Sequence, residues 1–416
     1  MNFPILLFFN NCFSIIEIKL LFLHKILFEP LKSMNPFVIS GKIPEKYFCD
    51  RISETKELVN YLTNNNNVVL ISPRRMGKSA LIEHCYGQKE INKEYTTLYL
   101  DILQSSSLKE FVYLFGKAIY ESIVPKTTKW ILKFFQTFSS LNGKISVDPV
   151  SGYPSFGVML GEINNPVLTL EEIFRFINNY NKRVIIAIDE FQQITKYPEK
   201  NIEAILRSHI QQSDNVNFIF SGSERHLMSE IFLSHSRPFY HSASVLSLEA
   251  IPRDNYVEFA KKQFEQNGKK VDVKDLYKLY DLFNGVTFYM QKTLNEAFYN
   301  LAENKMCDAG FLNETIFKIL ESNSLVYREI LSNLPEKQKD LLYALAIEGE
   351  TEAITSADFI KKYSLLSSSS VQSASKVLLE KEFITKTEKK YSVYDKFFAL
   401  WIKKIYGPGS LALLKD

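Results

Sequence analysis

Lys78 and Ser79 are the residues best equipped for chemistry. They follow Gly77 in the stretch Ser72-Pro73-Arg74-Arg75-Met76-Gly77-Lys78-Ser79-Ala80. A tight loop running into a helix suits a polyphosphate: backbone N–H groups and the positive end of the helix dipole face the anion, the lysine reaches the outer phosphates, and the hydroxyl holds magnesium. The pattern G-x-x-x-x-G-K-[ST] is matched except at its first position, where Ser72 replaces glycine. A lysine at a helix N-terminus, with Arg74 and Arg75 nearby, is an unfavourable cluster unless an anion sits among them. A second chemical pair, Asp189-Glu190, closes the run Arg183-Val-Ile-Ile-Ala-Ile-Asp189. Adjacent strand residues point to opposite faces, so the two carboxylates suit different tasks. Asp189 is expected to bind the magnesium held by Ser79, directly or through water, and Glu190 to take a proton from an attacking water.

Such groups must be positioned by a parallel sheet. Val68-Val69-Leu70-Ile71 and Val184 to Ile188 are continuous apolar runs, as expected of strands buried on both faces. In doubly wound sheets ligands bind outside the carboxyl ends of the strands, where both motifs fall. Helices are expected over Ser53 to Thr63, Phe111 to Phe135, Leu168 to Asn179 and Asn201 to Ser213. Further strands are expected at Thr96 to Asp101 and Val216 to Phe220, the latter beside the Asp189-Glu190 strand. Turn residues between Gly143 and Met159 separate short apolar runs, as in an inserted hairpin.

Taken together, Phe48-Cys49-Asp50-Arg51 ahead of a helix, Ser-Pro-Arg-Arg-Met-Gly-Lys-Ser at 72–79, Ile-Asp-Glu-Phe-Gln at 188–192 and Phe-Ser-Gly-Ser at 220–223 resemble the archaeal-type P-loop ATPases. These are AAA+/STAND-related ATPases of archaea and Bacteroidetes-like bacteria, and the resemblance covers about residues 35–405. It implies an α/β P-loop NTPase (AAA+/ASCE-like) sheet with helices on both faces, then a helical lid and a winged-helix domain. ATP and Mg2+ are the implied ligands, with Phe48 and Arg51 near the adenine and ribose. The polar sensor at the end of the fourth strand is matched by Ser221 and Ser223. Relatives carry Gly-Arg after an aromatic pair, but this chain reads Arg237-Pro-Phe-Tyr-His-Ser242, which leaves Arg237, then Arg225, as replacements for the missing arginine. Where relatives have Gly-x-Pro in the lid, the chain keeps Gly285 and has Thr287 in place of proline.

The expected boundaries are 34–250 for the ATPase domain, 251–330 for the lid, 331–405 for the winged helix and 406–416 for a tail. With 416 residues, 46% hydrophobic and 23% charged, the chain suits a soluble protein of two or three domains. A net charge of +3 gives no global field for nucleic acid. Cys12, Cys49, Cys85 and Cys307 have no C-x-x-C spacing, which argues against a zinc site or disulfide framework and for a reducing cytoplasm. Residues 1–33 are rich in Phe, Leu and Ile but interrupted by Glu17, Lys19, Lys25 and Glu29, which is short for a membrane span. Their leading reading is an extension from an upstream start codon, outside the fold, with a membrane anchor as the alternative.

In the last domain, helices are expected at Glu336 to Glu348, Thr355 to Tyr363 and Ser367 to Lys381, with a charged hairpin at 383–394. The third helix offers Ser369, Ser370, Gln372, Ser373 and a single cation, Lys376. Residues 336–404 hold 12 lysines, no arginine and 10 acids, a balance of 12 − 10 = +2. Duplex DNA and a protein partner, or an intramolecular surface, are equal rivals as its ligand. The bound substrate is expected to be MgATP. Turnover is open between a hydrolysing ATPase and a slow nucleotide switch, and homo-oligomerisation is left open with it.

Overall fold

The computed structural model describes residues 34–125, 127, 134, 163–302, 305–387, 389–408 and 413–414. The expected helix from Phe111 ends at Ile123, where Val124 turns extended, and most of its expected remainder, the expected hairpin at 143–159 and the extension at 1–33 lie outside these residues. In chain order the first elements are α1 (Ile52–Thr63), β1 (Val68–Ile71), α2 (Lys78–Tyr86), α3 (Lys89–Glu94), β2 (Tyr95–Asp101) and α4 (Leu108–Ile123). Next come α5 (Pro166–Asn178), β3 (Arg183–Asp189), α6 (Ile202–Gln211), β4 (Val216–Gly222), α7 (Arg225–Leu233) and β5 (Ser244–Ser247). The strands form one parallel sheet in the order β2-β3-β4-β1-β5. Because β1 is flanked on both sides and buried along its whole length, it carries apolar residues at every position.

Alternate residues of β1 join different cores. Val69 and Ile71 pack with Phe111 and Phe115 of α4, Ile173 of α5 and Leu206 of α6. Val68 and Leu70 pack with Leu58 and Leu62 of α1 and with Leu81 and Ile82 of α2. Helices therefore cover both faces, and the carboxyl ends of all strands share one edge. Register sets Asp101 opposite Asp189, and Ile71 opposite Gly222, so the loops after β1, β2, β3 and β4 converge there.

The second half contains α8 (Arg253–Gln266), β6 (Lys270–Val271), α9 (Val273–Leu282), α10 (Thr287–Asn300), β7 (Met306–Cys307), α11 (Ala309–Ser322) and α12 (Ser324–Ser332). It ends with α13 (Glu336–Glu348), α14 (Ala357–Lys362), α15 (Ser368–Glu380), the hairpin β8 (Ile384–Thr387) and β9 (Lys390–Val393), and α16 (Lys396–Tyr406). Ser356, Ser367 and Asp395 cap α14, α15 and α16 by accepting hydrogen bonds from the third helical N–H.

The lid and the winged helix share one continuous core. Phe283 and Tyr289 of the lid pack edge-on against Phe397 of α16, with ring centroids 5.4 and 5.0 Å apart. Trp401, fully buried, donates its indole N–H to Ser324 Oγ of α12 at 3.2 Å. Phe37, from the segment ahead of the parallel sheet, is buried in the same core. Among the described residues no helix is long and apolar enough to cross a membrane.

Candidate functional site: a phosphate loop gripped by the lid and the winged helix

Gly77 has φ +92°, a conformation that L side chains rarely adopt, and caps the N-terminus of α2. Ser72 has no such requirement, since it does not adopt positive φ, which explains why a serine can replace the expected glycine. It is fully buried and its hydroxyl donates to the Pro73 carbonyl at 2.8 Å. Arg75, by contrast, sits at φ +68°, a local strain held by its side-chain contacts.

Lys78 is 7% exposed, and its ammonium reaches back to the carbonyl oxygens of Ser72 and Pro73 at 3.5 and 3.3 Å. Burial lowers its pKa below the ordinary lysine value, Asp189 and Glu190 oppose that, and Arg74 adds to it. A buried cation held only by two long contacts is a poor arrangement for stability and a good one for meeting an anion.

Ser79 donates its hydroxyl to Asp189 Oδ2 at 3.1 Å. Tyr99 of β2 donates to the same carboxylate oxygen and lies 2.9 Å from Ser79 Oγ. Glu190 is left-handed, φ 54°, which turns its carboxylate toward the end of β4. There Oε2 accepts from Ser223 Oγ and from Gln192 Nε2, each at 2.6 Å. Ser223 in turn accepts from Arg74 Nε at 2.7 Å. Asp101 stands across from Asp189; burial raises its carboxyl, and the charges of Asp189 and Glu190 raise it further. Hard oxygen donors on Ser79 and Asp189, within a crowded set of carboxylates, fit a magnesium ion whose other ligands come from phosphate and water.

Lys78, Ser79, Asp189 and Glu190 line one end of a cavity of about 380 Å³. The rest of its wall comes from Val38, Ile39, Ile43, Phe48 and Arg51 ahead of the sheet, from Ile251, and from Thr287, Phe288 and Gln291 of α10. Phe48 stacks on His84 of α2 with 3.8 Å between ring centroids. Arg51 lines the cavity too, yet its guanidinium is committed to Glu54, to the Glu249 carbonyl at 2.6 Å and to the Met76 carbonyl at 3.4 Å. It therefore staples α1 to the phosphate loop and to the end of β5.

The loop is also held from the far side. Arg74 donates to Glu382, just after α15. Arg75 donates to Asp395 Oδ2 at 2.9 Å and to Tyr289 Oη, and its guanidinium lies 4.8 Å from the Phe288 ring centroid. The backbone N–H of Phe288 donates to the Arg75 carbonyl at 3.2 Å. Burial pulls both guanidinium pKa values down, but the nearby acidic groups outweigh it and hold them above the ordinary value. Sequence reasoning placed Arg74 and Arg75 in the loop and missed these partners, because nothing local relates residue 74 to residue 382.

Three of the residues singled out in the sequence stand apart from the cavity wall. Ser221, expected beside Ser223 as a sensor, is fully buried with an unpartnered hydroxyl, and does not line the cavity. Ser221 and Ser223 were equivalent in sequence, but only the second lies past the end of the strand. Arg237 pairs with Glu203 at 2.9 Å and Glu230 at 2.8 Å, and Arg225 pairs with Glu249 at 3.2 Å. Neither lines this chain's cavity: Arg225, at the start of α7, faces Glu249, and Arg237, past the end of α7, faces Glu203 of α6 and Glu230 of α7.

With this geometry in place, comparison with known families is informative. The family described as an ATPase domain predominantly from Archaea matches residues 48–292. The chain belongs to this ATPase family. A winged helix domain family matches residues 325–404, over α13 to α16 and most of α12. In fold the ATPase is similar to the Walker-type ATPase PABY2304 of Pyrococcus abyssi, at 18% identity and a TM-score of 0.62, covering 88% of this chain and 99% of that one. It is also similar to the ORC2 protein of Aeropyrum pernix, solved with ADPNP and ADP, at 12% identity and a TM-score of 0.54, covering 90% and 98%. Among curated proteins none matches.

Proposed function

We propose that this ATPase hydrolyses MgATP and that the triphosphate competes with the winged helix for the arginines of the phosphate loop. The observation that carries the reading is the convergence of Lys78, Ser79, Asp189 and Glu190 at one end of a cavity, with Ser223 donating to Glu190 from behind it. Lys78 exchanges two weak carbonyl contacts for the β- and γ-phosphates, and the loop N–H groups from Arg74 to Ala80 cradle the chain of phosphates. Ser79 and Asp189 would hold magnesium, which would supply the positive charge that neutralises negative charge developing on the phosphates. Glu190, aimed by Ser223 and Gln192, orients water and accepts its proton. Phe48 offers its ring to the base.

The lid and winged-helix reading rests on Glu382 and Asp395. Both occupy arginines that face the phosphate site, so nucleotide binding and winged-helix docking draw on the same cations. Arg74 further links Glu382 to Ser223, and Ser223 to Glu190, a connected path from the winged helix to the base that activates water. A slow switch is the second reading, favoured by these ties. The exposed face of α15, with Ser369, Gln372, Ser373 and Lys376, is the surface we assign to duplex DNA or to a protein partner.

Phosphate release from MgATP by the full chain tests the proposal, with Glu190→Gln in parallel and duplex DNA in half of the samples. Turnover lost in the variant supports hydrolysis through Glu190, and stimulation by DNA gives the winged helix its ligand. Retained nucleotide binding without turnover moves the weight to the switch, and no binding at all refutes the reading.

A further inference from the structure

Gln291 is only 7% exposed and lines the cavity, yet its buried carboxamide oxygen has no hydrogen-bond partner among the described residues. Thr287, one turn earlier on the same helical face, lines the same cavity and its buried Oγ1 is likewise unpartnered. Leaving a buried polar group without a partner is expensive, so two such oxygens on the wall of one cavity point to a ligand that completes them. The slot is walled by Val38, Ile39, Ile43 and Phe48, which suits a flat aromatic group rather than a phosphate. Position agrees. Phe288 N–H holds the phosphate loop at the start of α10, and Gln291 lies about 4.5 Å further along the helix axis, away from the loop.

We propose that Gln291 reads the nucleotide base, its carboxamide oxygen accepting from the 6-amino group of adenine while its N–H donates to the adjacent ring nitrogen. A carboxamide offers one donor and one acceptor in a plane, which is the complement of that edge of adenine. Thr287 Oγ1 supplies a second, rotatable partner at the same wall. The inference rests on the nucleotide reading above and adds to it the residue that chooses the base.

The test uses the full chain and two nucleotides, ATP and purine riboside 5′-triphosphate, which lacks the 6-amino group but keeps the ring and the phosphates. Equilibrium binding is measured with magnesium for the wild type and for Gln291→Leu. The wild type is expected to prefer ATP by about tenfold, the worth of one good hydrogen bond at a buried site. Gln291→Leu is expected to lose more for ATP, which forfeits both bonds, than for the analogue, which forfeits only the bond to the ring nitrogen, so that the preference disappears. The melting temperature of the nucleotide-free variant should be unchanged or higher, because an apolar side chain replaces an unpartnered polar one. A wild type that binds both nucleotides equally, or a variant that keeps the preference even when both affinities fall together, overturns the proposal alone. A wild type that binds neither nucleotide overturns the nucleotide reading and this proposal with it.

Discussion

Replacing Glu382 by Gln and Asp395 by Asn removes two negative charges from the arginines of the phosphate loop with little change in shape. The Asp395→Asn change keeps a side-chain oxygen to cap α16, where Asp395 Oδ1 accepts from Phe398 N–H at 3.1 Å, so the fold should be retained. Side-chain exposures are 30% and 39% for Arg74 and Glu382, and 33% and 29% for Arg75 and Asp395. Pairs this exposed are screened, so each tie is worth about 0.5–1 kcal/mol rather than the several kcal/mol of a buried pair. Freed of both ties, the arginines should turn to the triphosphate and strengthen MgATP binding by about 1–2 kcal/mol, or roughly 5- to 30-fold. Titration calorimetry on the full chain reads this directly, with each single variant expected near the square root of the double effect. Coupling is reciprocal, so saturating MgATP should loosen the winged helix by the same factor, seen as faster amide exchange around residues 381–395. A double variant that binds MgATP no more tightly than wild type, while melting as a folded protein, would refute competition between the winged helix and the nucleotide.

Lys78→Met should abolish MgATP binding yet stabilise the nucleotide-free protein, by the usual range of about 0.5–2 kcal/mol for relieving such a conflict. Burial lowers the Lys78 pKa, so its cost is full at neutral pH and fades as pH rises toward the ordinary lysine value; thermal melts should show the variant's advantage shrinking on the alkaline side. Tyr99→Phe removes the phenol that shares Asp189 with Ser79, and should lower the magnesium concentration for half-maximal nucleotide binding by about two- to tenfold, one modest hydrogen bond. A rise in that concentration would instead make Tyr99 a positioning residue for the metal ligands. Arg237→Ala should cost about 1–3 kcal/mol of stability, because Glu203 is 7% exposed and would be left without its cation, while phosphate release per folded molecule is unchanged. A specific loss of turnover without destabilisation would restore Arg237 to catalysis.

Sequence by itself determined the elements and the chemical groups, because both are written in short-range patterns. The apolar runs at 68–71 and 184–188 forecast strands buried on both faces, and Gly77-Lys78-Ser79 and Asp189-Glu190 marked the polar groups that meet beyond their ends. Helices over 52–63 and 336–348 match those expected from the sequence to within a residue. Elements with weak local signals escaped notice: β5, whose burial alternates at the sheet edge, and α16, whose aromatic residues find their reason only in the lid core. Tertiary structure alone decided what each arginine does. Arg74 and Arg75 meet Glu382 and Asp395 across more than 300 residues of chain, whereas Arg237 is consumed by Glu203 and Glu230. It also decided which serine reaches Glu190, since Ser221 and Ser223 differ only in lying before or after the last residue of β4. A charge shows its type in the sequence, but its partner is fixed by packing, and for this ATPase the partners carry the reading of control.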